Sequence, residues 1–569
     1  MSYISNEILI SLLKQYGISK LVLSSGSRNI PFVSAVEVDD AFSCFSVVDE
    51  RNAAFFGLGL CQQGNEPVAI VCTSGTAASN YLSGVTEAYY SNAPLVVITF
   101  DRSPYTLDQL ETQKIDQPAI FTSVCRKSVS LPVIKDDDDV WYCTRLINEA
   151  LIALNQYETG PVHINVPLIG GQNDLVDGSI TYKKADDVRK IEYIPIDDDA
   201  KWRAMSERLN ASKRVLVVMG QHSNVDARTK EALDEFFAKH DAVLLMDNLA
   251  NYRCKQTVFA ESTIKALNSR TIAPLMPEII ITFGCNFQER IKDIFKAHKG
   301  EFEHWSIEPF GQVKDVFKSQ TALFDCKSSV FFEKMATLSD SSTKSNDYFD
   351  RWKRIEDAAV LPEMEFNNFY TVGEFAKCIP ENSMMHLSIL NNTRLMQFYQ
   401  LDPSVKVYSN VNAFGIDGCL PTFMGQAIST DELAFLVIGD LSFFYGMNAI
   451  AIKHRKNNIR IMLINNGGGA EFHIMPDSNA IPTIDQHIGA AHSRKAKEWA
   501  ESQGYEYLCA DSKESLDTAL NSFISREHDA PVFLEVFTDM KNDGEHLLSI
   551  YRYLESEIQP VLDAMEIEQ

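Results

Sequence analysis

The chain has 569 residues, of which 45% are hydrophobic, 10% aromatic and 23% charged. This excludes a disordered, collagen-like or disulfide-scaffold protein and, at roughly 100–200 residues per domain, suggests three or four domains. With 52 basic against 77 acidic residues the net charge is −25. Nucleic acid and anionic membrane surfaces are therefore poor partners, and an anionic substrate needs its own basic pocket. The 11 cysteines are scattered without a C-x-x-C pair, which reads as reduced core thiols and supports neither a zinc site nor a disulfide framework. No signal peptide is evident, and no apolar run approaches the ~20 residues that span a bilayer, so a soluble cytoplasmic protein is expected.

Taken in chain order, the apolar runs Lys20–Ser24, Pro67–Cys72 and Pro94–Phe100 predict strands, and the small-residue stretches Glu50–Cys61 and Thr76–Tyr90 predict helices between them. Val162–Val166, followed by Pro167, closes this first α/β unit, and Gly170–Asp199 reads as a linker. Strands restart at Arg214–Gly220, Ala242–Met246 and Glu278–Gly284, before a polar second linker at Leu338–Tyr348. A third series follows at Met385–Leu390, Lys406–Tyr408, Phe435–Gly439, Arg460–Ile464 and Pro531–Val536. Near-continuous apolar strands separated by helices imply parallel strands covered on both faces. The fold class is α/β, with three doubly wound parallel-sheet domains spanning residues 1–185, 195–345 and 355–569. The acidic clusters Asp136–Asp139 and Asp197–Asp199 are expected to be solvated loops or helix starts.

The strongest chemical signal is Gly439-Asp440 at the end of one predicted strand, with Asn465-Asn466-Gly467-Gly468-Gly469 at the end of the next. Open α/β sheets bind ligands at such carboxyl ends. A carboxylate, an amide oxygen and a glycine carbonyl form a half-shell suited to Mg²⁺, which retains positions for water and phosphate oxygens. Taken singly, each motif is more simply a turn; the pair is not. Asp49-Glu50-Arg51, Gly26-Ser27-Arg28 and Thr73-Ser74-Gly75-Thr76 stand at further strand-end turns. No strand is followed by G-x-G-x-x-G, and Gly57-Leu58-Gly59 lies inside a predicted helix, which disfavours a nicotinamide dehydrogenase.

These motifs occur in one chain-long order with Asp101-Arg102, Gln113-Lys114-Ile115-Asp116-Gln117 and Gly415-Ile416-Asp417-Gly418. The series resembles the thiamine-diphosphate enzymes and, within them, the 2-succinyl-5-enolpyruvyl-6-hydroxy-3-cyclohexene-1-carboxylate (SEPHCHC) synthase family of menaquinone biosynthesis. The resemblance implies decarboxylation of a 2-oxoacid, 2-oxoglutarate in the family, and carbon–carbon ligation to isochorismate. It implies thiamine diphosphate and Mg²⁺ (or Mn²⁺) as cofactors, and a homodimer or homotetramer with the coenzyme bridging two chains. By position Glu50 would hydrogen-bond the aminopyrimidine ring, a role that calls for a buried, charge-paired acid. Ile416 would hold the coenzyme's two rings in contact; Glu50 and Ile416 are thus the implied catalytic residues. Thr73, Ser74, Gly75, Gly415, Gly439, Gly467 and Phe472 would complete the coenzyme site, and Asp440, Asn466 and the Gly468 carbonyl would bind the metal. Ser27, Arg28, Arg102, Gln113, Arg290, Arg394 and Glu471 would face substrate, with arginines clamping carboxylates.

Four positions depart from the family pattern. Asn410-Val411-Asn412 lacks an arginine expected to bind substrate carboxylate, Ile389-Leu390 replaces a polar Asn-Ser, Glu471 stands where an aliphatic residue is usual, and Ser25 replaces a proline. Val411 and Glu471 make the pocket less positive. An alternative expectation is therefore a paralogue with the same chemistry but a less anionic donor, such as pyruvate, or a different acceptor.

Overall fold

The computed structural model describes residues 4–64, 66–156, 159–168, 188–222, 225–339, 345–474 and 476–568. The chain divides into one unit made of Met1–Asp197 with Glu308–Cys326, and a second made of Asp198–Ile307 with Lys327–Gln569. In the first unit β1 (Lys20–Leu23), β2 (Ser43–Ser46), β3 (Val68–Cys72), β4 (Leu95–Asp101), β5 (Lys127–Ser130) and β6 (Val162–Pro167) form a parallel sheet ordered β2-β1-β3-β4-β6-β5. Every residue of the interior strands β3, β4 and β6 is buried, which explains their mainly apolar character; Thr99, Asp101, His163 and Asn165 are the buried polar exceptions. The helices Glu50–Gly64 and Thr76–Tyr90 pack closely because their contact is built from small residues: a Cβ on Gly84 would lie 2.6 Å from that of Ala54.

The middle of the chain supplies β7 (Glu192–Pro195), β8 (Val215–Met219), β9 (Ala242–Met246), β10 (Thr257–Phe259), β11 (Ile279–Phe283), β12 (Glu303–Ile307) and β13 (Gln320–Asp325). Strands β7 and β13 pair in parallel within the first unit. Strands β8 to β12 run parallel in the order β10-β9-β8-β11-β12 within the second. The second unit also holds β14 (Met384–Leu387), β15 (Lys406–Ser409), β16 (Ala434–Gly439), β17 (Ile459–Asn465), β18 (Glu506–Ala510) and β19 (Val532–Phe537), a parallel sheet ordered β15-β14-β16-β17-β19-β18. The three predicted parallel α/β sheets are all present.

Register decides where chemistry can occur. Gly439 of β16 pairs with Ile464 of β17, so Asp440 and Asn466 leave adjacent strands at the same end of the sheet. The predicted strand Met385–Leu390 ends early, at Leu387. The Ser388 carbonyl accepts from Thr393 N–H and hydroxyl at 3.1 and 2.8 Å, and Leu390 adopts φ 66°, turning the chain into the helix Asn391–Met396. Both acidic clusters are helix starts: Asp136 accepts from Asp139 N–H at 3.0 Å and Asp198 from Lys201 N–H at 3.1 Å. Most of the predicted linker Gly170–Asp199, and residues 340–344 of the second linker, lie outside the described residues. Among the described residues no helix is long and apolar enough to cross a membrane.

Candidate active site

In the first unit three strand-end turns meet. Gly26 is pressed against Thr73, where a Cβ would come within 2.2 Å of the Thr73 side chain, so only glycine fits. The Arg28 N–H donates to Thr73 Oγ1 at 3.3 Å, which ties the Gly26-Ser27-Arg28 turn to Thr73-Ser74-Gly75. Gly75 has φ +80° and its N–H donates to Gln117 Oε1 at 2.8 Å, while Gln113 Nε2 donates to the Ser74 carbonyl at 3.0 Å. Asp101 and Lys114 form a buried ion pair at 2.6 Å that pins the loop between them. Arg102, which opens that loop, pairs with Glu111, and the buried Nε atoms of Arg28 and Arg102 have no hydrogen-bond partner among the described residues.

Glu50 begins the helix Glu50–Gly64. Its Oε2 accepts from Asn80 Nδ2 at 3.3 Å and the side chain is half-buried. The buried, charge-paired acid expected from sequence is therefore not found within one chain: the partner is an amide, and part of Glu50 faces solvent.

In the second unit Asp440 is buried at the end of β16. Its Oδ1 accepts from Leu441 N–H at 2.6 Å, and its Oδ2 from Gly467 and Gly468 N–H at 2.7 and 3.0 Å. The Gly468 N–H also approaches Asn466 Oδ1 at 3.3 Å, so one amide lies between the carboxylate and the Asn466 oxygen. Gly467 and Gly468 have φ +85° and +152°, and a Cβ on Gly468 would lie 2.7 Å from the Gly489 oxygen and the Met540 sulfur. The Gly-rich sequence is what lets the loop fold back onto Asp440. Burial pushes the Asp440 carboxyl up to about 6, against the lowering effect of those N–H groups.

Among the described side chains only His492 is a potential cationic partner for Asp440, with Nε2 at 3.4 Å, and burial lowers its pKa. A buried carboxylate matched by no full positive charge, beside an amide oxygen and a glycine-rich turn, fits a hard divalent cation. No group of three His, Cys, Asp or Glu suited to a metal occurs among the described residues; a cation here would take mixed carboxylate, amide and carbonyl donors. Ile416 is half-buried in the same unit, its carbonyl accepting from Ser442 Oγ at 2.5 Å, two residues beyond Asp440. The adjacent Gly415 and Gly439 complete the strand-end turns, and Phe472 lies against Gly469.

Beside these turns the second unit contains a cavity of about 160 Å³ whose wall includes Asp247, Glu261, Lys265, Arg290, Leu390, Arg394 and Val411. Arg394 grips Glu471 with both arms, at 2.7 and 3.0 Å, and also donates to Asn391 at 2.7 Å. Burial works against the Arg394 charge, but Glu471, Tyr551 and Glu261 raise its pKa overall. Arg290 donates to the Leu267 carbonyl at 2.8 Å. Burial, reinforced by Glu261, pushes Asp247 up to about 7. The structure thus brings Arg290 and Arg394 to one cavity, with Glu471 tied to it through Arg394. Ser27, Arg28, Arg102 and Gln113 belong to the first-unit turns.

Several contributors had no sequence signal. Asp543 accepts from Asn466 Nδ2 at 3.0 Å and from Thr538 Oγ1 at 2.8 Å, fixing the amide's orientation. It stands alone near the start of the long helix Met540–Glu568. His492 and Lys265 are equally isolated in sequence. Gln117 lies inside a recognised motif, and its buried link to Asn165 at 2.9 Å depends on a strand much later in the chain.

The model for the thiamine pyrophosphate enzyme N-terminal TPP-binding domain matches residues 5–120. With the three parallel sheets, this defines the class: the protein is a thiamine-pyrophosphate enzyme. Curated relatives over nearly the whole chain carry one name, 2-succinyl-5-enolpyruvyl-6-hydroxy-3-cyclohexene-1-carboxylate synthase. That of Bacteroides thetaiotaomicron is 35% identical over 556 residues, covering 96% of this chain and 98% of the relative. Those of Phocaeicola vulgatus and Flavobacterium johnsoniae are 34% and 30% identical, covering 96% and 93% of this chain and 98% and 95% of the relatives. The chain belongs to the SEPHCHC synthase family. None of these relatives favours the alternative of a different donor or acceptor.

Proposed function

We propose that the protein catalyses the reaction for which its relatives are named: thiamine-diphosphate- and Mg²⁺-dependent decarboxylation of 2-oxoglutarate with carbon–carbon ligation to isochorismate, a step of menaquinone biosynthesis. The observation that carries this reading is the pair Asp440 and Asn466 leaving adjacent strands beside one glycine-rich turn. Asp440, Asn466 and the Gly468 carbonyl would hold the metal on the coenzyme diphosphate, with Asp543 orienting Asn466. When bound, the coenzyme supplies the nucleophilic carbon and the electron sink for decarboxylation and ligation. Glu50 would hold a proton between its carboxyl and the aminopyrimidine nitrogen. Thr73, Ser74 and Gly75 would support that ring, and Ile416 and Phe472 would exclude water around it. The cavity carrying Arg290 and Arg394 would bind substrate carboxylates.

Half-buried Glu50 gains the enclosure its role requires if a second copy covers it. Val48, Phe55, Phe56 and Tyr90, all exposed on the first unit, supply an apolar surface for that contact. We therefore assign a homodimer or homotetramer, three domains at 1–185, 195–345 and 355–569, and a cytoplasmic location compatible with 11 free cysteines. Mass-spectrometric identification of the product formed from 2-oxoglutarate and isochorismate tests the activity. Selective formation of SEPHCHC is expected; CO₂ release from pyruvate in preference to 2-oxoglutarate would contradict it.

A further inference from the structure

The cavity of the second unit presents more hydrogen-bond donors than the protein satisfies. Arg394 is committed to Glu471 and Asn391. Lys265 is not so committed. Its ammonium makes no hydrogen bond among the described residues; its contacts are the Glu261 carboxylate at 4.0 Å, one helical turn away, and the face of Tyr551 at 5.0 Å. Among the described residues the buried Arg290 Nε and Gln397 Nε2 have no hydrogen-bond partner, while Gln397 Oε1 accepts from Asn248 N–H at 2.8 Å. All three residues line the same cavity. A buried donor without an acceptor is unfavourable. A ligand bringing acceptor oxygens would relieve several such donors at once.

We propose that Lys265 is a specificity-determining residue of this enzyme, its ammonium binding a substrate carboxylate in the cavity, with Arg290 and Gln397 offering further donors to the same anion. The proposal rests on reading the cavity as the substrate pocket. Two features favour Lys265 over Arg394 as the cation available to a ligand. Its partner Glu261 is at 4.0 Å rather than in a bidentate grip, and its three donors make no hydrogen bond among the described residues. Burial together with Arg394 and Arg290 lowers the Lys265 pKa, partly offset by Glu261 and Glu471, so an arriving carboxylate meets a cation that gains by being paired. Glu261, buried and with no hydrogen bond to its Oε1 among the described residues beyond the 4.0 Å approach of Lys265, acts through Lys265 as a positioning residue.

The test is calorimetric titration of the full-length protein, with thiamine diphosphate and Mg²⁺ present, using glutarate as a dicarboxylate that lacks the reactive carbonyl. Lys265→Met is expected to weaken glutarate roughly 10- to 100-fold, the loss of a charge-assisted hydrogen bond. Lys265→Arg is expected to remain within about threefold of wild type. KM values for 2-oxoglutarate and isochorismate in the same variants identify whose carboxylate is bound: a rise confined to one, with kcat retained, assigns it. If wild type converts neither substrate yet glutarate still depends on Lys265, the proposed reaction fails and the carboxylate site stands. Equal glutarate affinity in Lys265→Met and wild type, with both KM values unchanged, overturns the proposal, as does failure of Lys265→Arg to restore what Lys265→Met loses.

Discussion

At the scale of single residues, the site combines acids whose surroundings differ. Glu50 is half-buried at a helix start and accepts from Asn80, whereas Asp440 is buried and held by backbone N–H groups. If Glu50 manages the coenzyme's proton, Glu50→Gln keeps the shape and removes the acid. Turnover is expected to fall by roughly 10²- to 10⁴-fold, the usual worth of a positioned acid or base. Coenzyme affinity measured by fluorescence quenching should change far less. Asp247 offers a pH test. Its folded-state pKa, raised from 3.8 to about 7 by burial and Glu261, keeps a proton on the native protein that the unfolded chain has already released. The contribution of Asp247 to stability therefore declines as pH rises through that window, and is constant above it. Asp247→Asn removes this decline. Urea unfolding should show the variant gaining stability relative to wild type between pH 4.5 and pH 7; a parallel pair of profiles would refute the assignment.

Among elements, the ion pair Asp101–Lys114 ties the end of β4 to the loop carrying Arg102 and Gln113. Both side chains are at most 5% exposed, so Lys114→Met would leave an unmatched buried carboxylate, with an expected loss of about 3–5 kcal/mol. Adding Asp101→Asn should recover much of that loss, as a double-mutant cycle of unfolding free energies would show. The same scale shows what sequence could and could not reveal. Interior strands such as β3, β4, β16 and β17 are buried along nearly their whole length and are therefore spelled mainly by apolar residues, with Thr99, Asp101, Arg460 and Asn465 the buried polar exceptions. The edge strands β5 (KSVS) and β18 (EYLCA) are partly exposed, have mixed polarity and carry no such signal. Ile389 and Leu390 are apolar and extend the strand signal in sequence; a local hydrogen-bond pattern at Ser388 overrides that preference. Asp440 and Asn466 were legible because each directly follows a strong strand. Asp543, His492 and Lys265 were not, since their importance arises from tertiary neighbours rather than a motif.

For the whole molecule, the first unit displays apolar side chains next to its candidate coenzyme residues: Val48 two positions before Glu50, and Phe55 on the following helix. Sedimentation velocity should find a dimer or tetramer, and Phe55→Asp should shift it towards monomer while reducing coenzyme affinity in step. Retained coenzyme affinity in a monomeric variant would show that one chain suffices.

In the proposed function a divalent ion at Asp440 and Asn466 secures the coenzyme diphosphate. Calorimetric titration of thiamine diphosphate into wild type and Asp440→Asn, each with Mg²⁺ and with a chelator, checks this. The expected result is binding to wild type that requires Mg²⁺ and falls at least tenfold in Asp440→Asn, a difference of about 1.4 kcal/mol or more. Equal binding with and without the metal, or in both proteins, would contradict it.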